Sequence, residues 1–166
     1  MPLKDFLKNM LSEFFWEINR EKWPGKEREL VSRFAFSKLV KNVSTCPEFY
    51  DSAQIGLEVW VKQNKGINRK EFVCKDFIIW GKPNSNAWTE ENIPIVIMEW
   101  KHNNSIPSEY DINWLKDYTL QNKSCIGIAI NIDNKKNYVL NSTLIENGHI
   151  QEKNWLALND NKVSIL

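Results

Sequence analysis

Two short apolar runs constrain this chain more than any other feature, because each carries charge where a core strand should carry none: Phe72–Trp80 (FVCKDFIIW) and Ile93–Lys101 (IPIVIMEWK). Both are rich in β-branched and aromatic residues and short enough for strands. Burying an ionised group without a partner is expensive, so Asp76, Glu99 and Lys101 call for a counter-charge or a cation. Side chains alternate along a strand, which puts Glu99 and Lys101 on one face and Trp100 on the other. If the two strands are neighbours, Asp76 joins Glu99 at the same end of the sheet.

The rest of the pattern frames these strands. Residues 3–20 place Leu3, Phe6, Leu7, Met10, Leu11, Phe14, Phe15 and Ile18 at helical spacing, and Trp23-Pro24-Gly25 ends that helix. A second helical pattern from Lys26 to Val43 gives an apolar face of Leu30, Val31, Phe34, Leu39, Val40 and Val43. Gln54–Lys62 alternates as a half-buried strand, and Asn64-Lys65-Gly66 reads as a turn. After the charged strands, Ser105 is a candidate cap and Pro107 a first-turn residue for a helix over Tyr110–Gln121. Ser124–Ile132 is a fourth apolar strand. Asn147-Gly148 predicts a hairpin between Tyr138–Glu146 and His149–Leu158. The expected class is α/β (α+β): a mixed sheet flanked by helices, ordered α-α-β-β-β-α-β with a β-rich C-terminal tail. One domain over 1–166 is expected, with a core of about 26–132, an N-terminal helix in 1–25 and the tail in 133–166.

Two carboxylates and a backbone carbonyl, that of Trp100, make a hard oxygen site suited to Mg (or Mn) with several waters retained. Lys101 beside it would orient or help deprotonate an attacking water, while the metal stabilises charge on a phosphate. A plainer reading makes Asp76 a turn cap and Glu99–Lys101 a same-face ion pair.

These residues carry a resemblance. Asp76, a spacer, and Glu99-Trp100-Lys101, followed by a helix and an apolar strand, resemble the PD-(D/E)XK, restriction-endonuclease-like nuclease superfamily. Its shared core is α-β-β-β-α-β, which matches the order from Lys26 to Ile132; Lys75 stands where the family name has proline. The resemblance implies a metal-dependent nuclease with Asp76 and Glu99 as metal ligands and Lys101 as catalytic lysine. Many members add an acidic residue from the first core helix. Glu29 is the candidate here, since it shares a helical row with Phe36 and Val40, and Glu27, in the row of Val31 and Phe34, is second. Lys75 and His102 are candidate substrate contacts, and Trp88 a candidate base-stacking residue. Asp111 and Glu109 read as first-turn charges favoured by the helix dipole.

The implied substrate is nucleic acid, with DNA placed first, and economy favours a homodimer because one centre cuts one strand. The net charge of +1 sits uneasily with polyanion binding. It supports an alternative: a catalytically idle nuclease-like domain used as a nucleic-acid-binding or protein-interaction module. A third reading is an unrelated α/β binding protein whose strand charges pair with one another. The three cysteines, with no C-x-x-C, disfavour a disulfide framework or zinc site and read as small buried hydrophobes. Nucleotide-motor, dinucleotide and hydrolase signatures are missing. No apolar run could span a bilayer and no secretory signal is legible, so a cytoplasmic protein is expected.

Overall fold

The helical period of the first twenty residues is realised as α1 (Leu3–Glu21), which buries Leu3, Phe6, Leu7, Met10, Leu11, Phe14, Phe15 and Ile18 and leaves Trp16 exposed. The structure, a computed structural model, describes residues 2–42, 45–46, 54–63, 71–81, 93–104, 106–135 and 137–160. Trp88, Ser105, Val43 and the turn at 64–66 lie outside the described residues.

The second helical pattern is not uniform. α2 (Glu27–Phe34) runs into a π-helical stretch (Ala35–Leu39) and then α3 (Val40–Asn42). The wider π turn rotates the helix face, so Ala35 and Leu39 are buried while Phe36 and Val40 point to solvent. The expected apolar position at Val40 is therefore corrected. A uniform 3.6-residue period misassigns it because the extra residue of a π turn shifts every later side chain.

Among the described residues, six strands form one mixed sheet in the order β1-β2-β3-β4-β5-β6. They are β1 (Gln54–Lys62), β2 (Phe72–Trp80), β3 (Val96–His102), β4 (Ile126–Asp133), β5 (Val139–Glu146) and β6 (His149–Asn159). All neighbours are antiparallel except β3 and β4, which are parallel and joined through α4 (Glu109–Gln121). The C-terminal strands extend this same sheet. Asn147 and Gly148 both have positive φ (51° and 79°), as a tight two-residue hairpin turn requires. The cap of α4 is Ser108, whose Oγ accepts from Asp111 N–H at 3.3 Å. Pro107 precedes that cap instead of lying in the first turn.

Helices cover both faces. On one, α1 and α2 bury Phe77, Ile79, Met98, Trp100, Ile128 and Ile130. Trp100 packs at 5.4 Å from the Phe34 ring and edge-on to Phe14 at 6.2 Å, contacts that fix the strand end carrying the charges. On the other face, α4 lies over Ile78, Trp80, Ile97, Ala129 and Ile145. Close approach there depends on Gly127, where an added Cβ would stand 3.1 Å from Leu115. No helix among the described residues is long and apolar enough to cross a membrane.

Candidate active site

The charged residues gather where β2 parts from β3. Among the described residues those strands pair through Ile79↔Val96, Ile78↔Ile97 and Phe77↔Met98. Beyond Phe77 the ladder stops, and the Asp76 carboxylate fills the opening by accepting the Trp100 N–H at 2.8 Å. On the other side of β2, Leu57 faces Phe77 and Val59 faces Lys75, with Glu58 between them in the left-handed region (φ 51°). Leu57 and Phe77 belong to the α1/α2 core, whereas Val59, Val61 and Val73 belong to the α4 core. Both strands thus reverse their facing at the Glu58/Asp76 level while the register on either side stays one to one.

That reversal decides what meets Glu99. Lys75 turns to the α4 side, where its ammonium lies against Glu99 Oε1 and 3.6 Å from the Trp114 ring centroid. Both side chains of this ion pair are buried. Lys75, expected as a substrate contact, is thus placed inside the protein against Glu99 and away from the surface. Trp114 is itself held by its Nε1–H donating to Gln63 at 2.7 Å and by stacking on Tyr118. Burial pushes the Glu99 carboxyl up to about 8; the Lys75 ammonium pulls the other way without prevailing.

Lys101 lies between the buried and open halves of the site. Its Nζ donates to the Trp100 carbonyl at 2.8 Å and stands 3.3 Å from Asp111 and 4.0 Å from Asp76. Burial works against this ammonium, but Asp111, Asp76 and Glu27 outweigh it and hold its pKa above the usual lysine value. Asp111, expected only as a first-turn residue, reaches the centre because α4 starts beside the end of β3. Proximity of two distant chain segments leaves no mark in local sequence.

The helix carboxylate at the site is Glu27. Its Oε2 accepts the His102 N–H at 3.0 Å, and it lines a cleft of about 500 Å³ with Arg28, Glu58, Cys74 and Asp76. Glu29 is exposed and accepts the Lys26 N–H at 2.8 Å, closing the first turn of α2. Glu29, expected as the helix acid of the site, is not brought to it: Glu29, Phe36 and Val40 are all exposed, whereas Glu27 faces the cleft. His102 is partly exposed, with Nε2 3.2 Å from Asn134 Oδ1, on the rim of a second pocket with Lys22 and Tyr138. Cys46 and Cys125 are buried as expected; Cys74 is exposed on the cleft.

Among the described residues no three histidine, cysteine or carboxylate side chains are grouped to hold a metal ion. A set of Asp76, Glu99 and the Trp100 carbonyl needs only two carboxylates, and as hard oxygens these donors suit Mg. Two ammonium groups already lie against these oxygens, so the site demonstrably attracts positive charge. In kind the donors fit; a divalent ion would have to displace ammonium nitrogens to use them all. No protein-family model, curated protein or solved structure matches this chain.

Proposed function

We propose that this chain is a metal-dependent nuclease that hydrolyses phosphodiester bonds, DNA first among its substrates, on a restriction-endonuclease-like core. One observation carries the reading: Lys101 stands 4.0 Å from Asp76 at the end of β3, the strand that also carries Glu99, and Glu27 from α2 joins Asp76 on an open cleft. Asp76, Glu99 and the Trp100 carbonyl would hold Mg (or Mn). Bound there, the ion would supply an activated water and neutralise charge on the phosphate.

The chain's own groups have separable tasks. Lys101, kept protonated by its acidic neighbours, acts as a donor and a fixed positive charge for the phosphate rather than as a base. Asp76 ties β2 to β3 through the Trp100 N–H while presenting its carboxylate to the cleft. Glu27 holds the backbone of His102 and lines the wall that a nucleic-acid strand would follow.

The test is cleavage of plasmid and of duplex, branched and single-stranded oligonucleotides with Mg or Mn. Nicking that Lys101→Met lowers at least about a hundredfold, with the fold intact, is the expected result. Cleavage of none of these substrates refutes it. A second reading has its own support: the buried Lys75–Glu99 pair satisfies Glu99 without a metal, as an idle nuclease-like binding module would require. Nucleic-acid binding with no divalent-ion binding by calorimetry selects that reading.

A further inference from the structure

The Lys101 ammonium donates to the Trp100 carbonyl at 2.8 Å and faces two carboxylates, Asp111 at 3.3 Å and Asp76 at 4.0 Å. Two of these are oxygens assigned above to the metal. The third is not. Asp111 lies deeper than Asp76, with 9% of its side chain exposed against 30%, and comes from the first turn of α4, which Ser108 caps. We propose that Asp111 is the positioning residue of this centre, the carboxylate that keeps Lys101 at the end of β3 when a divalent cation takes the Trp100 carbonyl and Asp76.

This inference rests on the metal-dependent reading. An ammonium and a dication a few ångströms apart repel each other, and on the same two groups they compete. Lys101 therefore needs an acceptor of its own to remain beside the reaction. Water is a poor substitute, because a half-buried ammonium gains more from a fixed, desolvated carboxylate than from solvent. Lys101 projects to the α4 side of the sheet, where the first turn of α4 supplies that carboxylate. Without Asp111, the ammonium keeps only the metal's oxygens and competes for them.

The experiment is a calorimetric Mn²⁺ titration of the full chain, independent of any activity, on wild type, Asp111→Asn, Lys101→Met and the double variant. Asp111→Asn should weaken Mn²⁺ binding about tenfold, and in the Lys101→Met background the same change should weaken it less than about threefold, since the competing ammonium is gone. An equal loss in both backgrounds means that Asp111 acts only as a distant charge, and overturns the proposal. Thermal unfolding without metal verifies each fold, with Asp111→Ser replacing Asp111→Asn if the latter is unfolded. Wild type that binds no Mn²⁺ at millimolar concentration overturns the metal-dependent reading and this inference with it, an outcome distinct from equal losses.

Discussion

Replacing Lys75 with methionine tests whether the buried pair behaves as its surroundings require. Lys75 and Glu99 are 6% and 5% exposed, so the substitution strands a carboxylate in a region that water scarcely reaches. Breaking one side of such a pair costs about 3–5 kcal/mol when the remaining group stays charged. Glu99 has another course, which is to take up a proton. Its folded pKa of about 8 lies above the usual 4.5, so its contribution to stability is full below 4.5 and is lost as pH rises towards 8. In wild type that loss ends near 8, where folded Glu99 ionises beside Lys75. Without Lys75 the folded pKa moves higher and the loss continues into alkaline solution. At pH 6 Glu99 is neutral in both proteins, and the variant should lose the cation–π contact with Trp114, the hydrogen bond from Lys75 to the Glu99 carboxyl and some packing, about 2–4 kcal/mol. Above pH 8 the gap should widen by about 1.4 kcal/mol per pH unit, or roughly 2 kcal/mol by pH 9.5. Urea unfolding followed by tryptophan fluorescence at pH 6 and 9.5, in chelator, measures this directly. Adding Glu99→Gln should abolish the widening. A gap of equal size at both pH values would mean that the cost is packing alone, and would refute the electrostatic account.

Other consequences are as concrete. Glu27→Gln should lower cleavage at least tenfold, whereas Glu29→Gln should spare cleavage and cost about 0.5–1 kcal/mol for the lost helix cap, a contrast read from paired nicking and unfolding assays. Gly127→Val should destabilise by about 1–3 kcal/mol in urea, since its side chain enters the space of Leu115. Glu17 is held below the usual carboxylate value chiefly by its hydrogen bond from Lys38, against burial and with help from Arg33. Its stabilising effect is therefore present above pH 4.5 and lost on acidification through its lowered pKa, so Glu17→Gln should flatten the acid limb of a thermal-stability profile.

Much of the architecture was legible in order. The amphipathic period of α1, the alternation of β1, the Asn147-Gly148 hairpin and the crossover from β3 through α4 to β4 are all properties of neighbouring residues, which local sequence records. Glu99 and Lys101 were legible for the same reason, being charges at the end of an apolar strand. Failures occur where the helical period itself changes part-way along a segment. The π turn at Ala35–Leu39 exposes Phe36 and Val40, and the inference drawn from their row then picks Glu29 over Glu27.

What the sequence determined alone is that carboxylates and a lysine sit on apolar strands of a mixed sheet flanked by helices. Only the tertiary structure decided how they are distributed. The left-handed turn at Glu58 and the facing reversal at Asp76 send Lys75, not Asp76, into contact with Glu99. The start of α4 brings Asp111 to Lys101, although the strand and helix residues are ten positions apart and joined by a loop. The physical reason is one of range: periodicity reports which face a side chain occupies, whereas Coulomb and hydrogen-bond partners depend on which faces the fold brings within a few ångströms.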